Sequence, residues 1–282
     1  MRLKKDIEAL QASGELQFGY VDITQFNCPP FVMFTNHGDC GICGFQLLGM
    51  EYEPHSTYVW SKLVRDATSI FDIGTRCGEY SLIAASLRED VPIISCEPNP
   101  DGFARLQVNM LANGVKNMHI SRVAVGADEG FSHFAWLQKA PGHISSGGQL
   151  KPNRYDVPAA KLTQLVVVVA SLDTVTAGMD PGGKPVMKID VEGAEIGVFK
   201  GMPSLLQRKP DIILETFNQD ACALINAMTK PLGYNYFFID EKGRSLSSRE
   251  ELRPVTTADD DRGLNHLLTT RSPEELAVLL TP

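Results

Sequence analysis

No run of about 18 apolar residues occurs in the 282-residue chain, so no segment reads as a membrane-crossing helix. The basic Met1-Arg2-Leu3-Lys4-Lys5 start is not followed by an apolar core. Instead Leu3, Ile7 and Leu10 recur at helical spacing, which predicts an amphipathic helix to about Ala12, packed on the body or on a second copy of the chain, rather than a signal peptide. Cysteine is sparse and irregular, with six residues at 28, 40, 43, 77, 96 and 222. Without the spacing of a disulfide framework, reduced thiols and a cytoplasmic setting are expected. Only one C-x-x-C is present, Cys40-Gly41-Ile42-Cys43, near Cys28 and His37. A structural zinc site would normally bring a second close pair, so this stretch is expected to form a hairpin turning at Asn36-His37-Gly38-Asp39. Basic charge is also short: 26 Lys and Arg face 34 Asp and Glu, for a net charge of −8. The cations are scattered, which argues against nucleic acid as a partner. Hydrophobic content of 43% and charged content of 21% are those of an ordinary globular chain.

The densest signal is Phe71-Asp72-Ile73-Gly74-Thr75-Arg76-Cys77-Gly78, followed by Pro92-Ile93-Ile94-Ser95-Cys96-Glu97-Pro98. An apolar strand ends in an acid and two glycines, a helical stretch follows, and a second strand ends in Glu97. Open α/β sheets bind ligands at the carboxyl ends of their strands, and a carboxylate at such a tip can accept hydrogen bonds from both hydroxyls of a ribose. The glycines are spaced G-x-x-x-G, with Arg76 where a dinucleotide fingerprint needs its second Gly. A phosphate-free nucleoside such as S-adenosylmethionine fits this loop better. Asp72 would then lie near its ammonium, Gly74 and Gly78 would give it room, and Glu97 would hold its ribose. Gly178 to Lys184 spells G-x-x-x-x-G-K, but Pro185 stands where a P-loop needs Ser or Thr, so that segment reads as a turn.

A second block is Val186-Met187-Lys188-Ile189-Asp190-Val191-Glu192-Gly193-Ala194-Glu195, with Ser171-Leu172-Asp173 before it and Ile213-Leu214-Glu215 after it. Together with the first block, its words, order and spacing over about residues 58 to 270 resemble the FkbM-type methyltransferases. The resemblance implies an α/β class I methyltransferase (Rossmann-like) fold, with a mostly parallel seven-stranded sheet and helices on both faces. It also implies S-adenosylmethionine as cofactor and O-methylation of a sugar or other hydroxylated small molecule. Where the family carries small residues and Asn in the first loop, this chain has Thr75-Arg76-Cys77, and Arg76 is expected to face solvent.

Methyl transfer to oxygen requires a positioned nucleophile and a group that accepts its proton. Asp190 and Glu192, at the mouth of the strand that follows, are candidates for that work, as is His143 in the loop Gly142-His143-Ile144-Ser145-Ser146. Glu195 reads as stabilising a helix N-terminus. Glu215 is a candidate for binding an acceptor hydroxyl, or for joining Asp190 around a divalent cation as the less favoured option. Ala124, after the third strand, is placed against the adenine ring by position. A catalytically inactive binding module and a nucleotide-dependent oxidoreductase are the alternative functions.

Along the chain, residues 1–57 are expected to form an N-terminal extension, with strands near Phe31 to Phe34 and Gly41 to Leu48, and residues 58–282 the methyltransferase domain. Strands are expected at Ser69 to Ile73, Pro92 to Cys96, His119 to Val125 and Phe131 to Trp136. Leu165 to Ala170 reads as a fully buried strand. Gln138 to Ala160 reads as a lid or substrate-contact loop. Asn235 to Ile239 and Leu264 to Thr269 should pair antiparallel, and Ser272-Pro273-Glu274-Glu275 should cap a last helix.

Overall fold

The computed structural model describes residues 18–36, 39–137, 144, 148–150, 162–255 and 262–281. The expected first helix, His143 and most of the 138–160 loop lie outside the described residues. The chain opens with an antiparallel hairpin, β1 (Phe18–Ile23) and β2 (Phe31–Asn36). The body then supplies β3 (Ser69–Ile73), β4 (Ile93–Cys96) and β5 (Met118–Ser121), then β6 (Ala124–Val125), β7 (Gly130–Trp136), β8 (Gln149–Leu150) and β9 (Thr163–Ala170). After these come β10 (Pro185–Ile189), β11 (Asp211–Glu215), β12 (Asn235–Asp240), β13 (Ser245–Arg249) and β14 (Asn265–Thr269).

The main sheet has eight strands in the order β13-β12-β14-β11-β10-β3-β4-β5. Its parallel heart, β5 to β11, is flanked by antiparallel β14 and β12, as expected for Asn235 to Ile239 and Leu264 to Thr269. The eighth strand, where seven were expected, is β13 at the edge. Its sequence Ser-Leu-Ser-Ser-Arg has little apolar content to announce a strand, and backbone pairing with β12 makes it one. β3 and β10 are buried along their whole length, because helices cover both faces of the sheet. Strand side chains alternate between faces. Ile70, Ile93 and Ile213 therefore point into one core with Trp60 and Ile83, while Phe71, Ile73, Ile94, Ile212 and Leu214 point into another with Phe199 and Ile225. Each fully buried large side chain contributes about 1.5 to 3 kcal/mol relative to exposure.

Three expectations need correction. Gly41–Leu47 is a helix rather than a strand. The run is short and apolar, a case that periodicity alone does not decide, and the helix puts Ile42 and Cys43 into the core beside Met33. The partner of Phe31 to Phe34 in the hairpin is therefore Phe18–Ile23. The Leu165 to Ala170 run is a strand, but not a fully buried one. β9 belongs to a separate four-stranded sheet, β6-β9-β7-β8, that leaves Val166 and Val168 exposed. The expected third strand is divided between β5 and β6, which enter different sheets.

The helix Pro54–Arg65 runs across residue 57, and Val21, Ile23, Phe31 and Met33 share one core with the body. Asn99 caps the helix Pro100–Ala112, and the Ser272 capping box starts the helix Pro273–Leu279. Among the described residues no helix is long and apolar enough to cross a membrane.

Candidate active site

The site follows from the register of the central strands. β3 and β10 are neighbours, with Asp72 opposite Lys188 and Ile73 opposite Ile189, so the loops that leave them emerge side by side. Asp190 N donates to Ile73 O at 2.9 Å. At Gly74, where φ is +83°, an added Cβ would lie 1.8 Å from Asp190 O, so glycine is required there by close backbone approach as well as by conformation. Gly78, φ +95°, does a different job from the one expected. It is not among the residues lining the cavity, and its missing Cβ makes room for Leu106.

The cavity at the carboxyl ends of these strands has a volume of about 360 Å³, within the range of small-molecule sites. Asp72, Gly74, Glu97, Ala124, Asp190, Glu192 and Glu215 all line it. Three residues on its wall, Glu53, Arg76 and Glu192, hold left-handed backbone conformations (φ 43°, 54° and 52°) although none is glycine. Such strain tends to collect at functional sites.

Glu97, 6% exposed, sits at the end of β4. Its Oε2 accepts from Arg76 N at 2.8 Å and its Oε1 from Asn99 N at 2.7 Å. A carboxylate has about four acceptor positions, so capacity remains for a ligand's hydroxyls. Burial pushes its carboxyl up to about 7, against the opposing pull of those backbone donors and of the Arg76 charge. Asp72 is braced by Thr75 Oγ1 and Ser81 Oγ, which both donate to its Oδ2 at 2.6 Å. Its carboxyl is raised by burial, which outweighs those hydrogen bonds. Arg76 does not simply face solvent. Its guanidinium pairs with Glu79 at 3.1 Å and donates to Asp39 O at 2.7 Å.

The other end of the cavity is organised around Lys188, which is 2% exposed. Its Nζ donates to Asn265 Oδ1 at 3.0 Å, lies 3.5 Å from Asp190 Oδ2 and stands 5.2 Å from the centre of the Tyr80 ring. Burial alone would lower the ammonium, but Asp190, Glu53, Glu215 and Asp72 outweigh it and leave it raised. Glu53 Oε2 accepts from Tyr80 Oη at 2.5 Å and from Asn265 Nδ2 at 3.1 Å. Glu215 is pushed well up, first by burial and then by the charge of Asp190. Glu192 lines the wall nearby. Glu195 is buried away from the cavity, and its Oε1 accepts from Gly193 N at 2.8 Å. Asp190 and Glu215 belong to no group of three converging metal-ligand atoms among the described residues; Lys188 stands among these carboxylates.

Tyr52, Glu53, Tyr80 and Lys188 are lining residues that sequence reasoning did not single out. Lys188 stands in the Lys188-Ile189-Asp190-Val191-Glu192 block, where a cation in an apolar strand that runs into acids is a readable signal. Tyr52 and Glu53 carry no such mark, since they reach the cavity from the extension. From the loop 138–160, Gly148 and Leu150 reach the wall, and Ile144 N donates to Asp39 Oδ2 at 3.0 Å.

The model of the methyltransferase FkbM domain matches residues 72–236. A curated relative, methyltransferase 1 of Beauveria bassiana, is 28% identical over 148 residues, which cover 49% of this chain and 59% of that protein. The match thus spans about three fifths of the relative's length. Among solved structures, a SAM-dependent methyltransferase from Agrobacterium tumefaciens overlays with a TM-score of 0.46 at 7% identity, covering 90% of this chain and 71% of that one. A precorrin-6y C5,15-methyltransferase from Geobacter metallireducens overlays with a TM-score of 0.41 at 11% identity, covering 77% and 86%. These loose overlays carry no argument about chemistry. The sheet order, the cavity at its strand ends and the match over residues 72–236 agree, and the chain belongs to the FkbM methyltransferase family.

Proposed function

We propose that the protein is an S-adenosylmethionine-dependent O-methyltransferase acting on a hydroxylated small molecule. The observation that carries this reading is one continuous cavity with an unsaturated carboxylate, Glu97, at one end and the Lys188–Asp190–Glu215 group at the other. The donor set suits the cofactor: Glu97 retains acceptor capacity for a ribose, Asp72 lines the wall beside Gly74, and Ala124 offers an apolar surface for a ring. When bound, the cofactor supplies an electrophilic methyl group on a sulfonium.

The chain's own residues orient the acceptor and take its proton. Asp190, one third exposed, is the carboxylate best placed to receive a hydroxyl proton, while Lys188 holds it from behind at 3.5 Å. Glu215 has the raised carboxyl of a group that can remain protonated and donate to an acceptor oxygen. Glu53, fixed by Tyr80 and Asn265, limits what can enter beside them. A wall of several carboxylates and one ammonium favours a polyhydroxylated acceptor over an apolar one, because each acid can accept from hydroxyl groups.

Calorimetry with S-adenosylmethionine and with NAD, followed by S-adenosylhomocysteine release in the presence of sugar and polyol acceptors, tests the reading. Saturable binding of the first nucleoside only, with acceptor-dependent turnover, is expected. Binding without turnover on any hydroxylated acceptor would leave the binding-module reading in its place.

A further inference from the structure

Beside the cavity, three soft or acidic side chains converge from separate parts of the chain. Cys40 caps the helix Gly41–Leu47, Cys77 lies in the loop after β3, and Glu79 opens the helix Glu79–Leu87. Their ligand atoms all lie within 4.8 Å of one another. Cys40 Sγ and Cys77 Sγ are 3.6 Å apart, and Glu79 Oε1 lies 3.1 Å from Cys77 Sγ and 4.0 Å from Cys40 Sγ. Both thiols are fully buried and Glu79 is 5% exposed. From the geometry we infer a structural zinc site, with Cys40, Cys77 and Glu79 as three ligands and Cys43 as the fourth.

Tetrahedral coordination sets the test of distances. Zinc–sulfur bonds of about 2.3 Å and zinc–oxygen bonds of about 2.0 to 2.2 Å place two sulfurs about 3.8 Å apart and a sulfur and an oxygen about 3.5 to 3.7 Å apart. The sulfur–sulfur separation of 3.6 Å is close to its edge, and the two sulfur–oxygen separations bracket theirs, 3.1 Å being short and 4.0 Å long by about half an ångström, so a small shift of the Glu79 carboxylate would equalise them. A disulfide would need the two sulfurs at about 2.05 Å, a much larger closure in a packed core. Cys43, one helical turn from Cys40, directs its thiol toward Met33 O at 3.7 Å and stands outside the group of three. The assignment requires Cys43 to turn about its χ1 to supply the fourth ligand, and Cys40-Gly41-Ile42-Cys43 has the C-x-x-C spacing of such pairs.

Charge is consistent with this assignment. Two thiolates and a carboxylate bring three negative charges, a third thiolate a fourth, and a buried group of that kind requires compensation. The metal supplies two positive charges and the Arg76 guanidinium, 3.1 Å from Glu79 Oε1, a third, which reduces the four negative charges to one. Arg76 would thus act from outside the coordination shell, as partners of metal ligands commonly do. Arg76 and Glu79 also line the cavity, which provides an entry path. The site would tie the extension, through Cys40 and Cys43, to the loop that holds Glu97 through Arg76 N.

The test uses the full chain, purified under reductant without chelator. About one zinc per chain is expected by elemental mass spectrometry. After removal of zinc, titration with Co²⁺ alone should produce thiolate-to-cobalt charge-transfer absorption in the near ultraviolet that saturates at the same stoichiometry. Cys77→Ser should weaken the band, the Cys40→Ser/Cys77→Ser pair should abolish it, and Cys222→Ser, which alters a buried thiol elsewhere, should leave it unchanged. Substoichiometric zinc with no cobalt band in the reduced wild type overturns the proposal, whatever the variants do. So does a band that survives in the double variant, or an intact mass showing Cys40 and Cys77 oxidised to a disulfide in protein that binds no metal.

Discussion

At the Glu97 end of the cavity the polar groups are Asp72, Thr75, Arg76, Glu97 and Asn99, and at the Lys188 end they are Tyr52, Glu53, Tyr80, Lys188, Asp190, Glu192 and Glu215, with Asn265 bonded behind them. The first set is two adjacent strands, the loop between β3 and its helix, and a helix start. Asp72, Thr75, Ser81, Glu97 and Asn99 satisfy one another over short chain distances. The second set depends on contacts between segments as distant as Glu53 and Asn265. One end is thus specified locally and, on the proposed function, would serve the cofactor whatever the acceptor. The other changes whenever the extension or the last strands change, which is where choice of acceptor would be altered at least cost to cofactor binding.

The sharpest way to break that division is Asp190→Asn. If the two ends act separately, single-turnover methylation should fall about 10²- to 10⁴-fold, the range for a positioned general base, while calorimetric affinity for S-adenosylmethionine stays near wild type. A comparable loss of affinity would show that the ends are one unit. Near-normal rates would move the base to Glu192 or His143. Chelator followed by add-back separates out a cation role: rescue by magnesium or manganese but not by zinc would point to a metal held at Asp190 and Glu215 rather than to the zinc inferred at Cys40 and Cys77.

Next in size is Glu97→Gln, which retains volume but removes the charged acceptor. Cofactor affinity should weaken by roughly 1.5 to 3 kcal/mol, about 10- to 150-fold, with little change in the acceptor's KM at saturating cofactor. Unchanged affinity in a folded variant removes Glu97 from the ribose role.

Glu53→Gln probes the distant end. It keeps one acceptor for Tyr80 and Asn265 but loses the charge, so kcat/KM for the acceptor should fall about five- to tenfold, on the order of 1 to 1.4 kcal/mol, with cofactor affinity unchanged. A fall in cofactor affinity instead would place Glu53 on the wrong side of the comparison.

The most gradual effect is a pH dependence at the Glu97 end, spread over the whole titration rather than switched by one substitution. Burial raises the Glu97 carboxyl from its ordinary 4.5 to about 7. Ribose hydroxyls donate to the ionised form, so cofactor affinity should rise with pH through about 7, by at most about tenfold per pH unit. The unliganded fold moves the other way. Between 4.5 and about 7 the folded state holds the Glu97 proton more tightly than the unfolded state does, so this group's contribution to stability is present at low pH and is lost as pH rises through about 7. Calorimetry and thermal denaturation across that window should therefore have opposite slopes, and Glu97→Gln should flatten both.

Most of the Glu97 end of the cavity was legible in the sequence for a physical reason. A buried parallel strand must be a short apolar run, its exit must turn sharply, and Asp72, Gly74 and Glu97 occupy fixed offsets from those runs. Gly78 shows the limit of that logic, since a glycine demanded by packing against Leu106 looks the same in sequence as one demanded by a ligand. Gly41–Leu47 shows another, because a short apolar stretch takes its conformation from the surface it covers. β13 was unreadable, since an edge strand is defined by the partner that pairs with it.

By itself, the order of residues determined the α/β class, the parallel heart of the sheet, the two acidic strand ends and the membership of a methyltransferase family. These depend on alternation, glycine placement and acids at strand tips, all set within stretches of ten residues or so. Only the tertiary structure brought Glu53 to Lys188, turned Arg76 from solvent onto Asp39 O, and gathered Cys40 and Cys77 to 3.6 Å. Those contacts join positions tens to hundreds of residues apart, and their energies depend on burial and register, neither of which exists until the sheet has closed its two cores.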